Sequence, residues 1–152
     1  MILEIVRAKV SAKGGKKGMK IALCDDCRDD IMQLEKLIKK IKYCSENQYF
    51  FEYLSGEELL NNYMDFDLII LDMCIGEGLN GVETARNIRK RDAKVIIMFY
   101  SDYESKANKI SSVRPSNYIL KKYSNEEILQ KLDSCFGFII LSNDSFYRVN
   151  RR

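Results

Sequence analysis

Histidine is absent from this sequence of 152 residues. Without an imidazole the chain offers no histidine metal ligand, no Ser-His or Cys-His nucleophile pair, and no residue to carry a phosphohistidine. Long apolar runs are missing too: none approaches the ~18 residues a membrane-spanning helix needs. The N-terminal stretch "MILEIVRAKV" has Glu4 and Arg7 inside its apolar run, so it is not a secretory signal. The five cysteines are an odd number at irregular spacing, which argues against a secreted disulfide framework and for a reducing cytoplasm. A strong charge of one sign is also lacking. The net charge of +3 comes from the ends. Residues 1–18 set Arg7, Lys9, Lys13, Lys16 and Lys17 against Glu4, and residues 143–152 set Arg148, Arg151 and Arg152 against Asp144, so the body between is mildly acidic. Basic ends on an acidic body do not make a nucleic-acid-binding surface, and they read as solvated tails.

The length suits one domain. Residues 11–18, "SAKGGKKG", are small, basic and glycine-rich, the composition of a flexible linker. Lys-Gly-Gly-Lys-Lys-Gly is what a purine-rich ribosome-binding site encodes when read in frame, so the natural start is expected at Met19. A regular alternation begins there. "KIALC" (20–24), "YFFEYL" (49–54), "DLIILDM" (67–73), "KVIIMFYS" (94–101) and "NYILKKY" (117–123) read as strands. Between them, "DIMQLEKLIKKIKY" carries Ile31, Leu34, Leu37, Ile38 and Ile41 at helical spacing. "SGEELL" and "SNEEIL" each open with an S-x-x-E capping box, and "NGVETARNIRKRD" (80–92) has Val82, Ala85 and Ile88 on one face. Helix signals are weak over 103–112. Strands without polar alternation are buried on both faces. The expected fold is therefore α/β: a doubly wound five-stranded parallel sheet with helices on both faces, binding ligands at the carboxyl ends of its strands.

The residues at those ends are distinctive. The first strand ends in Asp25 and Asp26, the third in Asp72, the fourth in Ser101 and the fifth in Lys121. A lone aspartate after a strand is ordinarily just a helix N-cap. Three carboxylates on one rim are different, because like charges that close call for a cation. Oxygen ligands with open positions suit Mg²⁺ and phosphoryl oxygens.

In this order "LCDD", "LIILDM", "NGVETARNIRK", "FYS" and "YILK" resemble the receiver domain of two-component response regulators, with its flavodoxin-like fold, over residues 19–136. The resemblance implies that Asp72 is the phosphoryl acceptor. It implies Mg²⁺ on Asp25, Asp26, Asp72 and the backbone carbonyl of Cys74. It makes Lys121 and Ser101 the partners of the phosphoryl oxygens and Tyr118 an aromatic switch following Ser101. The protein would not be a turnover enzyme, although it takes part in its own phosphorylation and dephosphorylation. The implied donor is a sensor histidine kinase in the cytoplasm, and a second copy of the chain is a further candidate partner.

Two features depart from the pattern. Lys122 stands where receivers usually have a proline in a cis peptide, so either that loop differs or Lys122 shares the cation role. The loop "MCIGEGLNG" (73–81) lacks its usual proline and is one residue long for the family. "VRPSNYILKK" and "SDYES" are most similar to receivers of LytTR-type transcription regulators, in which a DNA-binding domain of about a hundred residues usually follows. The tail 137–152, "GFIILSNDSFYRVNRR", reads as strand–turn–strand, the opening of such a domain cut off, so that DNA would be reached only through an effector domain absent from this chain.

Other readings compete. One is a stand-alone or phosphorylation-independent receiver acting as a protein-interaction module. Another is a haloacid-dehalogenase-like phosphatase, which would carry Asp-x-Asp where this chain has Asp72-Met73-Cys74. The last is a thiol-redox site at "CDDC" (24–27). There the flanking aspartates raise thiol pKa and disfavour the thiolate, so the motif reads as an acid pair bracketed by cysteines.

Overall fold

The computed structural model describes residues 18–41, 48–76, 78–102 and 110–149, with side chains as far as Gly137. The extension 1–17 and the segment 103–109 lie outside these residues. The elements are β1 (Met19–Cys24), α1 (Arg28–Lys39), β2 (Gln48–Tyr53), α2 (Gly56–Asn61), β3 (Leu68–Leu71), α3 (Gly81–Arg91), β4 (Ile96–Ser101), a 3-10 turn (Ser111–Val113), β5 (Asn117–Leu120) and α4 (Asn125–Val149). All neighbouring strands pair in parallel, in the order β2-β1-β3-β4-β5. The strand order reverses beside β1, so the crevice of this doubly wound sheet opens at the carboxyl ends of β1 and β3.

The apolar runs lack polar alternation because helices cover both faces. Ile21, Leu23, Leu68, Ile70, Met98, Tyr100 and Ile119 point to one side, where α1 contributes Ile31, Leu34, Leu37 and Ile38, and α4 contributes Ile128, Leu132, Cys135 and Phe136. Ala22, Cys24, Ile69, Leu71, Ile97 and Phe99 point to the other, against Leu59 of α2 and Val82, Ala85 and Ile88 of α3. Each such aliphatic side chain taken out of water contributes about 1.5–3 kcal/mol. Burial on this scale can carry a charged rim that is itself costly.

The helix starts follow their caps. Ser55 Oγ accepts from the Glu58 amide at 3.1 Å, and Ser124 Oγ accepts from the Glu127 amide at 3.2 Å. α3 starts with a reciprocal capping box: Asn80 Oδ1 accepts from the Glu83 amide, and Glu83 Oε2 accepts from the Asn80 amide.

The strand–turn–strand reading of the tail is corrected, because the backbone of α4 stays helical through Val149. Extending an existing helix adds a hydrogen bond per residue with no new nucleus, whereas an isolated two-stranded hairpin is marginal in water. Among the described residues no helix is long and apolar enough to cross a membrane.

Candidate functional site: an acidic rim closed by a lysine

Strand register brings the acids together. Cys24 pairs with Leu71, so Asp25 and Asp72 each stand one residue beyond a matched pair. The Asp72 amide donates to the Cys24 carbonyl at 2.9 Å, and the Asp25 amide to the Tyr53 carbonyl at 3.1 Å. On the far side Ser101 pairs with Leu120, and the Lys121 amide donates to the Ser101 carbonyl at 2.9 Å. Both aspartates are bound in the same way. Asp25 Oδ1 accepts from the Cys27 amide at 2.9 Å and Asp72 Oδ1 from the Cys74 amide at 3.3 Å, each closing a turn two residues on. Their Oδ2 atoms are left to face the crevice.

Those oxygens meet Lys121. Its Nζ lies 2.7 Å from Asp25 Oδ2, 3.2 Å from Asp72 Oδ2 and 2.7 Å from Asp30 Oδ2. The side chain is only 7% exposed and passes over the Tyr100 ring, 5.6 Å from its centroid. Burial favours the neutral amine, but hydrogen bonds to Asp25 and Asp30 and the charge of Asp72 outweigh it and hold the ammonium well above the ordinary lysine range. Asp25 shifts for the opposite reason. Burial raises it from 3.8 to about 6, against the hydrogen bonds from Lys121 and Cys27, and the Asp72 charge pushes the same way as burial.

Asp25, Asp26 and Asp72 place one carboxylate oxygen each within 4.8 Å of one another. At that separation two like charges repel by on the order of 3–4 kcal/mol at an effective dielectric constant of about 20. The all-oxygen donor set and the exposed Asp26, open to water, fit a hard divalent cation. The Lys121 ammonium shows that the Oδ2 atoms converge on positive charge.

The remaining expected residues surround this cluster. Ser101 is fully buried at the end of β4. Tyr118 packs against Phe99 with ring centroids 6.0 Å apart, and its hydroxyl donates to Met73 Sδ at 2.9 Å, tying it to the loop that follows Asp72. Cys74 is exposed next to the acids. No cis peptide occurs among the described residues, so the bond into Lys122 is trans. Lys122 is exposed, and Lys121 makes the ion pairs to the acids. The cysteine bracket is not a thiolate pair: burial, and then the charge of Asp25, lifts Cys24 to about 12. Its Sγ lies 3.4 Å from the Ser55 carbonyl oxygen.

Two site residues escaped sequence reasoning. Asp30 resembles an ordinary acid in the first turn of a helix, yet the path of α1 leans its carboxylate over the rim. Gly81 looks like one more loop glycine. A Cβ there would stand 2.0 Å from the Asp72 carbonyl oxygen, so only glycine lets α3 start so close to the end of β3. The run "NGVETA" carried that signal, but a backbone contact across the fold is not visible in spacing.

The response regulator receiver domain model matches residues 21–133. The chain is 31% identical over 103 residues to the sensory transduction protein LytT of Oceanobacillus iheyensis, covering 65% of this chain and 39% of that protein. It is 29% identical over 117 residues to LytT of Bacillus anthracis, covering 75% and 46% respectively. The chain thus spans less than half the length of these curated relatives. The response regulatory domain of protein mrkE from Klebsiella pneumoniae superposes with a TM-score of 0.69 at 25% identity, covering 80% of this chain and 98% of that one. A matched family model over most of the chain, the parallel five-stranded sheet and the rim of acids facing a lysine agree, and the chain belongs to the response regulator receiver domain family.

Proposed function

We propose that Asp72 accepts a phosphoryl group from a phosphohistidine on a sensor histidine kinase in the cytoplasm. The resulting charge would switch an output, transcription. The observation that carries this reading is the convergence of Asp25, Asp26 and Asp72 with Lys121 Nζ 3.2 Å from Asp72 Oδ2. In the transfer, a carboxylate oxygen of Asp72 forms the new P–O bond while the P–N bond of the donor histidine breaks. Little covalent chemistry falls to the protein, and positioning and charge neutralisation do the rest. Asp25, Asp26, Asp72 and the Cys74 carbonyl would hold Mg²⁺, which supplies positive charge to the transferring oxygens. Lys121 is already desolvated at the nucleophile and neutralises a further oxygen. Ser101 reaches the phosphoryl group from the end of β4. Tyr118, bonded to Met73, gives the loop after Asp72 a partner that a moving Ser101 would rearrange. α4 runs on past residue 133, where the receiver match ends.

Incubation with acetyl phosphate and Mg²⁺, followed by intact-mass measurement, tests the acceptor. The expected result is a single phosphoryl adduct on the unsubstituted chain and none on Asp72→Asn. An unmodified chain, or an equal adduct on the variant, would defeat the mechanism and leave the interaction-module reading.

A further inference from the structure

The loop after Asp72 is the weak part of the proposed metal site. It must present the Cys74 carbonyl, yet it holds Gly76 and Gly78, both at positive φ, and has no proline. We infer that Glu57 is a positioning residue that clamps this loop to the start of α2 and so holds the Cys74 carbonyl in place for Mg²⁺; this rests on the reading of the rim as a receiver metal site.

Several independent observations bear on it. Glu57 Oε1 accepts from the Leu79 amide at 2.8 Å, joining residues 22 apart in sequence. Glu57 is not needed to start its helix, because Ser55 caps it and Glu58 reaches back to the Leu54 amide. Gly78 fits the clamp in two ways. Its φ of +113° is one that side chains rarely adopt, and a Cβ there would stand 2.5 Å from Glu57 Oε1. The hydrogen bond from the Leu79 amide also holds the Glu57 carboxyl below its ordinary range. At its two ends the loop is fixed by other means: the Cys74 amide donates to Asp72 Oδ1, and the Gly81 amide to the Met73 carbonyl. Glu57 supplies the tie between those ends, where the glycines would otherwise let the chain move.

The test uses the full chain labelled with ¹⁵N, reading amide hydrogen exchange at Leu79 and Mg²⁺ affinity by titration. In Glu57→Ala, Leu79 exchange should accelerate about tenfold or more, and Mg²⁺ should bind about three- to tenfold more weakly, the scale of one lost hydrogen bond. Glu57→Gln retains an acceptor oxygen for the Leu79 amide and should stay within about twofold of the unsubstituted chain on both readouts. Unchanged exchange and affinity in Glu57→Ala would overturn the clamp. So would a Glu57→Gln variant as weak as Glu57→Ala, which would make the effect one of charge. If the unsubstituted chain binds no Mg²⁺, the receiver reading fails, and Leu79 exchange alone still decides whether Glu57 holds the loop.

Discussion

Replacing Asp25 with asparagine should make the metal-free protein more stable, and the size of the gain should depend on pH. Asp25 is 4% exposed, and burial lifts its carboxyl from 3.8 to about 6 in spite of the pair with Lys121. Lys121 shifts upward too, but its gain is spread over Asp30 and Asp72 as well, whereas Asp25 bears its own burial. The Asp25 direction therefore governs this substitution. A carboxyl whose folded pKa lies above its unfolded value binds its proton more tightly in the native state. Its contribution to stability is greatest below about pH 4, falls as pH rises, and is lost once pH passes about 6. A separation of about two units corresponds to ~3 kcal/mol. The uncharged variant escapes that loss. In a chelator at about pH 7.5, Asp25→Asn should exceed the unsubstituted chain by about 2–3 kcal/mol, and near pH 4 the two should coincide. Urea unfolding followed by far-ultraviolet circular dichroism measures both. Added Mg²⁺ should narrow the gap, because a ligand that binds only the native state stabilises it, and the variant has lost one of the acids. A variant no more stable than the unsubstituted chain at neutral pH, or a gap that ignores pH, would refute the claim that burial dominates at Asp25.

Other substitutions probe the same rim. Lys121→Met removes the cation that Asp25 and Asp72 share, their side chains 6% and 8% exposed, and should destabilise the metal-free protein by about 3 kcal/mol; Mg²⁺ should restore part of the loss in the same urea assay. Gly81→Ala forces a Cβ against the Asp72 carbonyl, so the urea midpoint should fall by an amount equivalent to about 2 kcal/mol or more, with the Asp72 amide resonance displaced. Brief maleimide labelling of the folded protein, mapped by peptide mass, should modify the exposed Cys27 and Cys74 and spare the buried Cys24 and Cys135; rapid labelling of Cys24 would revive the thiol reading of "CDDC".

Asp25, Asp26, Asp72, Ser101 and Lys121 were legible in the sequence for one reason. A parallel strand covered on both faces reads as an unbroken apolar run, so the first polar residue after it marks the rim of the sheet. The caps at Ser55 and Ser124 were legible because a capping interaction spans only three residues. Where an interaction depended on how elements cross in space, local pattern was silent or misleading. Asp30 looked like an ordinary helix-start acid until the path of α1 set it 2.7 Å from Lys121 Nζ. Gly81 and Glu57 matter because α3 and α2 start against the loop after Asp72. The apolar tail suggested strands, but α4 continues through it, since a helix already begun extends more readily than a lone hairpin forms. Sequence alone determined where the strands end and which charged and polar side chains stand there. Tertiary structure decided which charges share the crevice and what holds its loop, because those contacts join residues far apart in the chain.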